Sequence, residues 1–178
     1  MKTLVLFTSQ TGFTKKYAEW ITERTNADIF DLKEVQKNDD GFFAQYESIV
    51  YAGWVMAGKV AKANWFLDRA RNWKDKQLVL VAVGGGTIDA PETEALMKAL
   101  LTEEQSEYIK AFYCQGGFNY EMMNMPSRLA MKAFVAALKK SRDERSRELA
   151  GSFDHSCDLS DAKFIEPIIE YLKEAKTA

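Results

Sequence analysis

Five short apolar runs recur along the chain, and most lead into a stretch whose apolar positions return every three or four residues. Residues 3–8 (TLVLFT) are the first of these runs. They precede a helical pattern from about Thr14, with Tyr17, Ala18, Ile21 and Thr25 on one face. Residues 27–32 (ADIFDL) alternate and read as an edge strand. Residues 48–53 (SIVYAG) lead to a helix near 60–71 whose stripe is Val60, Ala63, Phe66, Leu67 and Ala70. The run 77–83 (QLVLVAV) lacks alternation and so reads as buried on both faces. After it come three glycines, then Pro91, suited to the first turn of a helix reaching about Leu101. A fifth strand is expected at 108–114, and a last helix over about 161–175 turns Ile165, Ile168, Ile169 and Leu172 inward. Strands alternating with helices predict an α/β fold, a parallel sheet covered on both faces. No repeat, low-complexity tract or linker divides the chain, which reads as one domain over 1–178.

Composition narrows the classes. Of the 178 residues 47% are hydrophobic and 28% charged, a globular balance. A formal charge of −2 supplies no electrostatic reason to expect nucleic acid. No apolar run approaches the roughly 20 residues of a membrane span, and no basic-then-apolar leader opens the chain. Cys114, Cys157 and the single histidine form neither a metal-ligand spacing nor a disulfide scaffold, so a reducing cytoplasm is the expected setting. Cys114, at a strand end, reads as a small buried hydrophobe.

Between the first strand and first helix stands Ser9-Gln10-Thr11-Gly12-Phe13-Thr14. Three hydroxyls, successive backbone N–H groups and the positive end of a helix dipole make a phosphate cradle. No Gly-Lys-Ser/Thr closes it, and it has one glycine where a dinucleotide fingerprint has three. Such a loop suits a monoester held permanently. A hydroxyl-rich helix cap accounts for the same residues.

The pattern Ser-x-Thr-Gly-x-Thr after an N-terminal strand resembles the FMN phosphate loop of flavodoxins. The resemblance implies a three-layer flavodoxin-like fold with a five-stranded parallel sheet of order 2-1-3-4-5, and FMN where strands one and three meet. It implies further that loops after the third and fourth strands clasp the flavin ring: Trp54, Val55, Met56, Ala57, Gly58 and Lys59 in one, Gly84, Gly85, Gly86 and Thr87 in the other. Trp54 or Met56 would lie against the ring, although Trp54 reads equally well as ordinary packing. The Ala57–Gly58 peptide would accept a hydrogen bond from the reduced flavin, and Lys59 would offset its charge. The second loop lacks the aromatic residue that many flavodoxins place there.

Residues 115–160 form an insert far longer than an ordinary connection. A helix is expected from Pro126 to Lys140, with Leu129, Ala130, Ala133, Phe134, Ala137 and Leu138 apolar and Arg128, Lys132 and Lys139 opposite. From 118 to 155 there are seven Lys/Arg against five Asp/Glu, or +2. The segment GGFNYEMMNMPSRLAMK resembles the insert of long-chain flavodoxin-type proteins related to the bacterial menaquinone-dependent protoporphyrinogen dehydrogenase. That likeness implies an FMN-dependent oxidoreductase passing electrons to or from a quinone- or porphyrin-like partner. The flavin would carry the chemistry, with no catalytic side chain, and Tyr120, Met122, Met123, Arg128 and Lys132 would bind the partner. Three other readings stay open. They are a one-electron carrier docking on redox proteins, a flavin-free binding module, and an insert that covers a sheet edge, contacts a homodimer partner or touches a membrane surface.

Overall fold

The computed structural model describes residues 2–174 apart from 143, 145, 146, 148, 149, 152 and 154. Its sheet is built on β1 (Thr3–Thr8), β2 (Asp28–Asp31), β3 (Ser48–Met56), β5 (Gln77–Gly84) and β6 (Ile109–Gln115). They are parallel and ordered β2-β1-β3-β5-β6, so the five-stranded 2-1-3-4-5 arrangement is present. The continuous apolar runs occupy the centre because helices cover both faces. Alternate residues then enter different cores. Leu4, Leu6, Ile49, Tyr51, Leu78 and Leu80 pack with Phe43, Phe66 and Trp73. Val5, Val50, Ala52, Val79 and Val81 pack on the other face with α1 (Phe13–Thr25) and α8 (Glu166–Glu174), through Tyr17, Ile21, Ile168 and Leu172. β2 is half-buried along its length, as an edge strand should be.

Three short helices were not expected: α2 (Leu32–Val35), α3 (Asp40–Ala44) and α6 (Glu103–Ser106). The two expected after the third and fourth strands are α4 (Ala63–Ala70) and α5 (Pro91–Ala99). The expected last helix begins as a 3-10 turn, Ala162–Ile165, before α8. The loop after the third strand is in fact a hairpin. β3 runs on to Met56 and folds back as β4 (Lys59–Val60), with Met56 paired to Lys59. Ala57 and Gly58, at φ 49° and 71°, supply the two positive dihedrals of a two-residue hairpin turn.

The insert leaves and returns through a two-stranded antiparallel ribbon, β7 (Gly117–Phe118) with β8 (Cys157–Asp158). Between them lies α7 (Met125–Lys139), capped where the Asn124 side chain accepts from the Ser127 N–H, with Pro126 in the first turn. The insert has its own small core of Phe118, Val135, Ala150 and Phe153, against which Met131 and Leu138 pack. Its buried side differs from the expected stripe: Leu129 is 70% exposed and Phe134 48%, while Val135 is buried. No helix among the described residues is long and apolar enough to cross a membrane.

Candidate functional site

At the carboxyl ends of β1, β3 and β5 the structure opens a cavity of about 420 Å³, within the usual range of roughly 300–1,000 Å³ for small-molecule sites. Its first wall is the β1–α1 loop, through Gln10, Thr11, Phe13 and Thr14. Gly12 takes the N-cap position of α1 at φ 97°, a left-handed conformation an L side chain resists, and no side chain caps the helix. The hydroxyl-rich loop is therefore not a side-chain cap: its first-turn amides have no side-chain acceptor at the cap. Ser9 shapes the loop instead, its Oγ accepting from the Gly12 N–H at 3.2 Å.

The second wall is the hairpin, where Trp54, Val55, Met56, Ala57 and Gly58 all line the cavity. Trp54 is half-buried, Met56 is 47% exposed, and Lys59 points to solvent outside the lining. The third wall is the glycine loop. Gly84 and Gly85 line it, Gly86 and Thr87 do not, and Glu92 of α5 joins it. Gly86 is instead held from behind, where its carbonyl accepts the Tyr113 hydroxyl at 2.7 Å. Burial raises the Tyr113 phenol above its ordinary pKa, so this proton stays available for donation.

Residues from the insert complete the site. Phe118 reaches the cavity from β7 and presses its ring tip on Gly85, where an added Cβ would stand 2.2 Å from Cζ. The glycine loop thus has an aromatic neighbour after all, contributed from 33 positions further along. One face of α7 roofs the cavity with Ser127, Ala130, Met131 and Phe134, and Met123 precedes them. The Ser127 hydroxyl lies 4.0 Å from the Met56 sulfur, so hairpin tip and roof meet. Phe118 and Glu92 were not read as site residues, and of the roof only Ala130 and Phe134 were expected on an apolar face of the insert helix; for Phe118 the one signal was the aromatic absent from the glycine loop.

Electrostatically the cavity is nearly bare: among the described lining residues only Glu92 carries charge. Cys114 stays outside it, buried, its thiol pushed up to about 12 by desolvation. The described residues hold no group of three or more His, Cys, Asp or Glu placed for a metal ion.

The five partner-binding candidates are not brought together. Met123 lines the cavity and Met122 is 60% exposed. Tyr120, Arg128 and Lys132 line a second cleft on the far side of α7. Arg128 is turned back to hold the insert, its Nη2 donating to the carbonyl of Tyr120 at 2.6 Å and of Glu121 at 3.3 Å.

No curated protein matches the chain. Several solved structures resemble it. A flavoprotein in complex with FMN from Lactobacillus acidophilus NCFM is 20% identical over 63% of this chain and 90% of that one, at a TM-score of 0.42. An NAD(P)H:quinone oxidoreductase from Methanothermobacter marburgensis is 12% identical over 87% and 96%, at 0.48. The Trp repressor binding protein from Bacillus subtilis is 16% identical over 80% and 100%, at 0.47. A family model described as a flavodoxin domain matches residues 4–145. That match takes in the phosphate-type loop, the hairpin, the glycine loop and α7, well over half of the chain, which belongs to the flavodoxin-domain family.

Proposed function

We propose that the chain binds FMN in the 420 Å³ cavity and acts as an FMN-dependent oxidoreductase toward a flat quinone- or porphyrin-like partner admitted beneath α7. One observation carries the reading: a single cavity joins an N-terminal helix end without a side-chain cap to an apolar, aromatic-lined slot. A phosphate monoester suits the first part and a planar ring the second. The α1 amides with the Thr11 and Thr14 hydroxyls would hold the phosphate, with the helix dipole in place of a lysine. Trp54 and Met56 on one side, and Gly84 and Gly85 on the other, would hold the ring.

When bound, FMN supplies the hydride and electron chemistry. The protein's own part is positioning and exclusion of water. Met131 and Phe134 shield the slot from above, and the Ala57–Gly58 turn lines it with polar backbone groups. With Glu92 as the one charge among the described lining residues, the cavity favours a neutral partner. A quinone-like molecule therefore fits it better than the carboxylates of a porphyrin, and kinship with the protoporphyrinogen dehydrogenases rests here on the insert alone. The one-electron carrier reading draws support from the exposed Met122, Met125 and Leu129, an apolar patch able to dock a redox protein.

The test is ligand discrimination. Charge-assisted hydrogen bonds contribute about 1.5–3 kcal/mol each. Replacing Thr11 and Thr14 together by Ala should weaken FMN at least about tenfold and leave riboflavin within about twofold. Equal loss of both ligands places the phosphate elsewhere. Anaerobic reduction then separates enzyme from carrier: rapid reoxidation by soluble quinones supports the oxidoreductase, whereas exchange only with redox proteins supports the carrier.

A further inference from the structure

The face of α7 turned away from the first cavity borders a cleft of about 660 Å³ that the flavin reading does not use. Positions 128, 132, 135, 136 and 139 share one side of the helix at its natural spacing. They place Arg128, Lys132 and Lys139 along the cleft, with Val135 and Ala136 between them. The facing wall brings Phe153, His155 and Ser156, and the Tyr120–Glu121 segment closes one end.

The cleft is opposite in character to the cavity across the helix. Among its described lining residues three carry fixed positive charge and one, Glu121, negative charge. Glu121 is already engaged, since Ser156 Oγ donates to its Oε2 at 2.6 Å. That bond, with help from its own backbone amide and the nearby Arg128, holds the carboxyl below its usual range. Arg128 is also bound into the insert itself. Its Nη2 is committed to backbone carbonyls, and its Nε is buried without a partner, the one such side-chain atom among the described residues.

We infer that this cleft binds a small organic anion, a molecule carrying a carboxylate or phosphate on an apolar body. The lysines at its rim attract the charged head and steer its approach. Val135, Ala136 and Phe153 cover the body, and the volume suits a molecule of one or two rings. The two cavities thus sort ligands by charge from opposite faces of one helix. The inference does not depend on FMN occupying the first.

The experiment titrates the full chain with 8-anilinonaphthalene-1-sulfonate, followed by fluorescence, with and without saturating riboflavin. Binding should weaken at least about tenfold in Lys132→Glu/Lys139→Glu, both sites being exposed and the variant checked for its far-UV spectrum. The uncharged replacement Ala136→Trp, which fills the cleft from another exposed position, should abolish it. Benzoate or phenyl phosphate should displace the probe, the stronger competitor naming the headgroup, while neutral benzamide should not. The inference is overturned if the probe does not bind, if the charge-reversed variant binds within about twofold of the parent, or if benzamide competes equally. Displacement by neutral riboflavin overturns it as well, because the probe then occupies the first cavity.

Discussion

The contact between Gly85 and Phe118 permits a sharp test of how the insert and the candidate flavin cavity are joined. Gly85→Ala puts a methyl group 2.2 Å from the ring Cζ and 2.7 Å from both Cε atoms. Ordinary contact needs about 3.4 Å or more, so the ring tip must retreat by more than an ångström. It has little room, because Phe118 is only 8% exposed and packs edge-on against Phe153 with centroids 4.6 Å apart. Overpacking of this kind costs about 1–3 kcal/mol. At roughly 2–4 °C per kcal/mol for a chain of this size, thermal unfolding should begin several degrees lower. Phe118→Leu removes the ring tip and costs about 1–2 kcal/mol by lost packing. If the clash is the cause, the double variant should be more stable than the sum of the two losses, by about 1 kcal/mol or more in a double-mutant cycle. FMN affinity, measured by fluorescence titration, should fall in Gly85→Ala and recover in part in the double variant. Strict additivity of the stabilities would show that the ring does not bear on the loop and does not form the aromatic wall of the cavity.

Trp54→Ala should restore the fluorescence of bound flavin if the indole lies against the ring, and Met56→Ala should cut affinity if the thioether does; no change in either variant removes the hairpin from the site. Burial pushes the Cys114 thiol up from 9.0 to about 12, so the fold favours the neutral form and this contribution is present below pH 9. Unfolding free energy should therefore fall between pH 9 and about 12 by a component missing from Cys114→Ala, measured by urea denaturation at each pH; identical slopes for the two proteins would contradict the assignment. Replacing residues 121–151 by a short Gly-Ser linker removes α7 and much of the small core but leaves the two sheet cores intact. The shortened protein should keep its fold and FMN, expose the flavin to iodide quenching and lose quinone turnover, whereas collapse of the far-UV spectrum would make the insert part of the folding unit.

The sequence alone determined what depends on neighbours along the chain. An unbroken apolar run marked β5 as buried on both faces, and the alternating run marked β2 as an edge, because burial on one or two faces leaves its period in the residues. The hydroxyls and single glycine before α1 were readable for the same reason, since the conformation of Gly12 is a local matter. The tertiary structure decided the rest. A hairpin at 55–60 was hidden because its partner strand is two residues long and its turn uses alanine in a left-handed conformation. The period of α7 announced a helix but not which side would pack, and the choice between Leu129 and Val135 fell to Phe118 and Phe153, fixed by the β7–β8 ribbon. That ribbon also carries Phe118 to Gly85, and the turn of α7 over the cavity parts Met123 from Arg128 and Lys132. Such meetings follow from strand register and helix rotation, which depend on residues far apart in sequence and leave no local pattern to read.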